Sequence, residues 1–409
     1  MRADYRGRVI DAVRQMPPTF WLLWAGTLVN RLGGFVVPFL ALYLTSERGI
    51  PVVEATAVIS LFGAGSFIGR IIGGDISDRF GRRPVMLLSF FTTPVIVLIV
   101  GFARAIPLLA VSTFLLGFFT DMYRPAVSAA VADLLPPALR VRAFSYLYWA
   151  INFGAAVAPA LGGFLAHAGY LPLFVADAAT TLVFGFIVLF RLRETLSASA
   201  RRTHTGQTPR RHRAPVLLWD PFLLIFSALT FLFGIVYVQS FSTLPVAMGM
   251  DGISPSSYGL AISVNGLFIV LFGILIGRRV EHGRRFRALA GANLLLGAGF
   301  GITVFAHALP IYVVSVAVWT FGEIINAAVA PSVVSDLALP DTQGLYQGAY
   351  GAAWGLAFFV GPIVGGWLLG SAGQSALWFA CFAAGIVTAV GFLLLSRPME
   401  GAIKRRTAA

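Results

Sequence analysis

The sequence predicts an all-α membrane protein of twelve transmembrane helices, arranged as two six-helix bundles related by a parallel repeat. Three observations carry this. First, 58% of the 409 residues are hydrophobic and 11% are charged, against roughly 25% charged in a soluble domain. Second, apolar runs recur that are long enough to cross ~30 Å of hydrocarbon as helix. Isolated strands cannot satisfy their backbone in lipid, and these runs are too long for barrel strands. Third, the chain matches itself at a shift of 203 residues: Asp133-Leu134 falls on Asp336-Leu337, Pro137 on Pro340, Pro159 on Pro362 and Gly162-Gly163 on Gly365-Gly366. A repeat of six spans preserves orientation, so the halves are related by an axis normal to the membrane.

The elements follow in order. The first run, 20–45, is too long for a signal-peptide core and lacks a small-residue cleavage site. It is span one and holds Asn30, Arg31 and Phe35. Span two, 53–74, runs into Gly74-Asp75-Ile76-Ser77-Asp78-Arg79-Phe80-Gly81-Arg82-Arg83. Spans three (84–103) and four (107–134) are joined by a short outer loop. Span four holds Asp121, Tyr123 and Arg124 and ends at Asp133. Span five (144–166) contains Gly154, Pro159, Gly162 and Gly163, and span six (171–191) contains Asp177. From Arg193 to Pro215 the chain is rich in Ser, Thr, Gly, Pro and Arg with no apolar period, as a linker is. The division is therefore an N-terminal bundle over 1–192, a cytoplasmic linker over 193–215 and a C-terminal bundle over 216–409. Span seven (222–246) holds Tyr237, Gln239 and Ser240. Span eight (256–277) leads into a degraded copy of the first loop, Gly277-Arg278-Arg279-Val280-Glu281-His282-Gly283-Arg284-Arg285. Span nine covers 286–307. Span ten (309–335) holds Trp319, Glu323 and Asn326, span eleven (345–370) holds Gly361, Pro362, Gly365 and Gly366, and span twelve covers 374–396.

The net charge of +13 is a topology signal rather than a nucleic-acid footprint. With the N-terminus placed in the cytoplasm, 25 of the 30 Lys and Arg residues fall in cytoplasmic loops and tails. The outer loops hold only Arg48 and Arg104, and Arg31, Arg70 and Arg124 remain within spans. The positive-inside rule then puts both termini in the cytoplasm of an inner cell membrane, with anionic lipid as a secondary partner. The one cysteine, Cys381, makes no internal disulfide and reads as packing. The five histidines do not cluster, so no metal site is expected. A monomer is expected, with a small-molecule substrate and no nucleic acid.

The loop after span two must turn sharply while holding charge at the lipid surface. Gly74 and Gly81 permit close approach and positive φ. Asp78 can cap a helix or accept from Arg82 or Arg83, and Asp133 is a further partner for these arginines. Charge inside a span is costly and defaults to a functional reading. Span midpoints place Arg31, Asp121, Arg124 and Glu323 near one depth. Asp121 and Arg124 lie three apart, so they either pair with each other or face a cavity. Glu323 has no cation on its own helix and is flanked by Thr320 and Asn326. It reads as a proton-exchanging site, with a static salt bridge to Arg31 as the alternative. Arg70 is expected to reach back to the cytoplasmic surface, and Asp177 to be interfacial.

Together these features resemble the major facilitator superfamily. The loop matches its signature G-x-x-x-D-R-x-G-R-R through Gly74, Asp78, Arg79, Gly81, Arg82 and Arg83. Gly154 through Gly163 is similar to the proline-glycine motif of the drug:proton antiporter branch, with Ala158 and Ser145 in place of glycines. Span eleven carries the fuller Gly361-Pro362-Ile363-Val364-Gly365-Gly366. Tyr148-Trp149-Ala150-Ile151-Asn152 and Gly322-Glu323-Ile324 are similar to bacterial multidrug/proton antiporters of the lactococcal type. Leu147 stands where those carry an acid, so their proton stoichiometry does not transfer. The acidic E-x-x-E-R of peptide/proton symporters is absent; Asn30-Arg31-Leu32-Gly33-Gly34 stands there.

The resemblance implies that spans one, four, seven and ten line a central cavity. Its residues would be Asn30, Arg31, Phe35, Asp121, Tyr123, Arg124, Tyr237, Gln239, Trp319, Glu323 and Asn326, with Glu323 and then Asp121 as proton-coupling groups. It implies that the loop cluster with Asp133 latches the two halves on the cytoplasmic side, a topological anchor being the simpler reading. The implied activity is proton-coupled efflux of small hydrophobic or amphiphilic compounds by alternating access, with no cofactor beyond protons. A lipid or lysolipid flippase or a metabolite importer is the alternative on the same fold. An intramembrane enzyme would need a nucleophile–base pair or metal cluster that the cysteine and histidines do not supply.

Overall fold

A computed structural model describes residues 16–196, 220–281, 284–338 and 343–407. Outside these lie most of the linker read over 193–215, the N-terminal arginines, Pro340, and His282 and Gly283 of the second-half loop. The described chain is helical throughout, with short connections.

The spans are Pro18–Leu32 continued by Val36–Leu42, Val52–Phe80, Arg82–Phe102, Ile106–Leu134, Pro137–His167, Leu171–Arg191, Pro221–Ser242 continued by Leu244–Met250, Pro255–Glu281, Arg285–Ile302 and Leu309–Leu337. One helix, Gln343–Thr407, supplies the last two; Gly373 breaks it at φ 85°, ψ 176°. Among the described residues twelve spans result. Proline opens many of them, at Pro18, Pro107, Pro137, Pro172, Pro221 and Pro310 among others. Its missing N–H and fixed φ cost nothing in a first helical turn.

Two spans expected to be continuous are broken. Span one stops at Gly33-Gly34-Phe35 and restarts at Val36. Asp177 on span six accepts from the freed Val36 N–H at 3.1 Å. Asp177 is thus not interfacial, because its carboxylate satisfies backbone that has lost its helical partner inside the membrane. Span seven pauses at Thr243 before Leu244–Met250.

Spans two and four pack through a ladder of small residues. Side chains added at Gly65, Gly69 and Gly73 would run into the carbonyls of Phe114, Phe118 and Met122, and one at Gly117 into that of Phe62. Absence of Cβ lets the two backbones touch, which brings Arg70 beside Asp121.

The halves meet along the side away from the arginine-rich loops. There Gly63 lies against Phe358, Gly366 against Thr56, Gly259 against Pro159, and a Cβ on Gly163 would come within 2.7 Å of Ser256 Cα. The apolar core on that side joins both halves, running from Phe39 to Trp378. Towards the arginine-rich side the core divides: one cluster, with Phe20, Phe90 and Phe184, belongs to the N-terminal half. The other, with Phe226, Phe286 and Phe392, belongs to the C-terminal half. The molecule is closed on one side and parted on the other.

Candidate substrate cavity

Between the halves lie two confluent cavities of about 380 and 760 Å³. They share Ser66, Arg70, Tyr237 and Phe358. The second reaches past Glu323 to Pro331, Gly348 and Tyr350, towards the arginine-rich side.

The N-terminal wall carries two connected polar groups. Arg31 Nη2 donates to the Tyr123 hydroxyl at 3.1 Å, which donates to Asn30 Oδ1 at 3.0 Å. Asn30 Nδ2 in turn donates to Thr181 at 3.0 Å. Beside this chain Asp121, 2% exposed, is surrounded by cations. Arg70 donates to its Oδ2 through Nη2 at 2.6 Å and Nε at 3.0 Å. Arg124 Nε lies 2.5 Å from Oδ1, and the Ser66 hydroxyl also donates to Oδ2. A carboxylate this deep requires such partners, since an unpaired buried charge is prohibitively costly.

The C-terminal wall is built differently. Glu323 Oε1 accepts from the Tyr237 hydroxyl at 3.1 Å and Oε2 from Asn265 Nδ2 at 2.6 Å. Asn265 also donates to Thr320 Oγ1 at 3.1 Å. Among the described residues Glu323 makes no ion pair, and no salt bridge joins it to Arg31. Tyr237, Trp354 and Phe358 line the same cavity as Glu323, Tyr237 standing edge-on to Trp319 and Trp354.

The cavity lining includes Asn30, Arg31, Asp121, Tyr123, Arg124, Tyr237, Trp319, Glu323 and Asn326. Phe35 and Gln239 are corrections. Phe35 is 6% exposed and packs in the common core. Gln239 donates to the carbonyls of Ile235 at 2.8 Å and Gly361 at 3.0 Å, and its carbonyl accepts from Thr243 at 2.8 Å. It binds span seven to span eleven. Arg70 is corrected too: it turns inward to Asp121 instead of reaching for the surface. Asp121 and Arg124 do pair, but as part of a larger cluster. Asn265 and Ser66 went unread, although each is a polar residue inside an apolar run; Asp177 joins the lining as well.

The proline-glycine motifs hold the wall in place. Gly154 of span five backs directly onto Arg31, Gly162 lies against Phe39, and Gly361 and Gly365 receive Val238 and Gln239. Pro159 sits inside its helix, and Pro362 inside the part of Gln343–Thr407 that precedes the break at Gly373.

At the arginine-rich end, Arg82 is 7% exposed. It reaches Asp78 Oδ1 at 2.5 Å and Asp133 Oδ2 at 3.2 Å. Gly81 makes the turn with φ 115°, ψ 161°. Arg79 pairs with Asp75 at 3.0 Å on the surface, and Arg83 donates to Leu189 O at 2.8 Å. Gly74 sits against Pro125. Glu194, just after span six, accepts from the N–H groups of Arg82 at 3.0 Å and Arg83 at 3.1 Å, the two donors that open span three. Every one of these partners belongs to the N-terminal bundle except Glu194, which stands at the start of the linker. The second half repeats the pairing one repeat later, with Arg285 donating to Asp336.

Comparison with known proteins agrees with this architecture. The chain is 28% identical over 363 residues to the MFS-type transporter YqjV of Bacillus subtilis, covering 86% of this chain and 87% of that protein. It is 25% identical to a Na(+), Li(+), K(+)/H(+) antiporter of Planococcus maritimus, covering 80% and 84%. It is 23% identical to the quinolone resistance protein NorA of Staphylococcus aureus, covering 81% and 85%. In fold it superposes on a POT family transporter solved with 5-aminolevulinic acid, with a TM-score of 0.78 at 16% identity over 94% of this chain and 97% of that one. The Major Facilitator Superfamily model matches residues 23–253 and 240–408, nearly the whole of both bundles that enclose the cavity, and the chain therefore belongs to that superfamily of membrane transporters.

Proposed function

We propose that the protein exports small hydrophobic or amphiphilic compounds in exchange for protons, by alternating access of the two bundles about the central cavity. Glu323 is the coupling group, and Asp121 holds the N-terminal wall together. The observation that carries this reading is the setting of Glu323. Among the described residues it is a carboxylate without a cation on its own wall, hydrogen-bonded by a hydroxyl and an amide, beside a cavity that reaches the arginine-rich side. Such a group can change protonation state without breaking an ion pair. The positive-inside rule assigns the arginine-rich side and both termini to the cytoplasm. A proton loaded from outside would be released there, and substrate would leave in the opposite direction. The relatives are consistent: one is named an antiporter exchanging cations for protons, another a quinolone resistance protein. Protons are the only coupling agent required.

The test is transport in proteoliposomes. Wild-type protein should move an amphiphilic dye against a gradient when a pH difference is imposed. Glu323→Gln should lose that driven movement while retaining energy-independent exchange of a neutral dye. Driven transport at the wild-type rate in Glu323→Gln would remove the coupling role.

A further inference from the structure

The two walls of the cavity carry opposite charge. On the N-terminal wall three guanidinium groups, Arg31, Arg70 and Arg124, face two carboxylates, Asp121 and Asp177. Asp121 is shared by Arg70 and Arg124, and Asp177 accepts from the Val36 N–H. Arg31 is left with a neutral partner, the Tyr123 hydroxyl, and its Nε is buried with none. Among the described residues it makes no ion pair. On the C-terminal wall the described lining residues include one acid, Glu323, and no cation. The cavity is thus balanced as a whole with Glu323 ionised, but polarised across its width.

A polarised, low-dielectric cavity discriminates by charge pattern rather than by total charge. A lone anion would satisfy Arg31 and leave Glu323 uncompensated; a lone cation would do the reverse. A ligand bearing both signs satisfies both walls, and like-charge placement in the reversed orientation is penalised. Aromatic side chains of the C-terminal half line both cavities, Trp319 and Phe358 the first and Trp354 and Phe358 the second.

We infer that the substrates are zwitterionic amphiphiles. An anionic group docks on Arg31, with Arg124 within the same lining, an aromatic or aliphatic body lies against Trp319 and Phe358, and an amine approaches Glu323. The inference rests on the exporter reading above and explains how exchange would work. An ammonium group gains from Glu323 only when the carboxylate is ionised, so amine binding and proton binding compete at one site. The other charged or titratable groups lining this cavity with Glu323 are Arg70 on span two, Tyr148 on span five, Tyr237 on span seven and Tyr350 on span eleven; Arg70 is already committed to Asp121.

The experiment is a ligand-by-mutant cycle on purified full-length protein. The probes are 4′-(aminomethyl)biphenyl-4-carboxylic acid, its methyl ester, its N-acetyl derivative and the doubly blocked compound. The zwitterion should bind at least about tenfold tighter than either singly blocked form, as expected for a charge-assisted contact at each end. Arg31→Gln should bring the zwitterion down to the affinity of the ester while leaving the ester where it was. Glu323→Gln should bring it down to the affinity of the N-acetyl form, again leaving that form unmoved. Arg31→Lys, which keeps the charge, should recover part of the loss and shows that the site still folds. Equal weakening of zwitterion and ester by Arg31→Gln would make Arg31 a scaffold and overturn the assignment. So would an ester that binds as well as the zwitterion, or a zwitterion that does not bind. Proton-driven export of the zwitterion is measured in parallel. Its absence in wild-type protein, with the affinity order intact, would sink the coupling reading and leave the recognition standing.

Discussion

Arg70 and Asp121 face each other from spans two and four, with Arg70 Nη2 2.6 Å from Asp121 Oδ2. The arginine lies on the span that ends in the signature loop. It turns back into the bundle because the Gly65-Gly69-Gly73 ladder brings the two backbones together there. The Asp121 side chain is 3% exposed and that of Arg70 is 51% exposed, so the pair is a buried acid with a cation at the cavity edge.

Asp121→Asn should therefore destabilise the N-terminal bundle. It leaves Arg70 and Arg124 side by side with no acid between them. Removing one member of a buried pair costs 3–5 kcal/mol when both are enclosed; with Arg70 and Arg124 partly solvated we expect ~2–3 kcal/mol. The check is the melting temperature of detergent-purified protein, which should fall by several degrees. Unchanged melting would mean that water, not Asp121, compensates the arginines.

The break in span one gives a separate test. Asp177 accepts from Val36 N–H, so Asp177→Asn, which keeps an acceptor oxygen, should preserve the break. Asp177→Leu leaves that N–H unsatisfied inside the membrane, at ~1–3 kcal/mol. Hydrogen exchange over residues 34–38 reads it directly, with faster exchange expected in Asp177→Leu and little change in Asp177→Asn. Equal exchange in the two variants would remove Asp177 as the support of the break.

The spans and their pairing were legible because lipid imposes one rule, an apolar run of sufficient length, and because the repeat places Asp336 where Asp133 predicts it. Side-chain direction was less so. Tyr237 and Gln239 are two residues apart, about 200° around a helix, so both cannot face one cavity; Tyr237 does, and Gln239 faces span eleven. The partners of Arg70 and Val36 lie 51 and 141 residues away. The glycine ladder could have registered spans two and four and drawn Arg70 to Asp121. Gly33-Gly34 could have announced the break in span one, but nothing local points to Asp177 as its support.

The signature loop makes a third prediction. Arg82 forks between Asp78 and Asp133 within one half. The proposed latch requires this cluster to engage the other half when the arginine-rich side closes. Arg82→Lys should not substitute, because an ammonium cannot span two carboxylates as the planar guanidinium does. Expression should persist while transport falls. Spin labels on the loop ends of spans two and eleven should show the closed population reduced in Arg82→Lys and in Asp78→Asn. Wild-type distance distributions in both variants would reduce the loop to a topological anchor.

The last prediction concerns the two donors to Glu323. Tyr237 and Asn265 each hydrogen-bond the carboxylate, and such bonds favour its ionised form. Tyr237→Phe removes one donor and keeps the ring that packs on Trp319 and Trp354; Asn265→Leu removes the other at similar volume. In either variant the ionised state loses a charge-assisted bond, so the proton is retained to higher pH and release towards the arginine-rich side requires more alkaline conditions. A hydrogen bond to a charged group contributes ~1.5–3 kcal/mol, which corresponds to about one to two pH units. The pH profile of driven transport should therefore move up by about one unit in each single variant, and further in the double. Energy-independent exchange of a neutral dye, which needs no proton release, should keep its wild-type pH profile in the same variants. If both profiles move together, the donors support the shape of the cavity rather than the protonation of Glu323. If neither moves, the coupling proton resides elsewhere, and Asp121 becomes the residue to test.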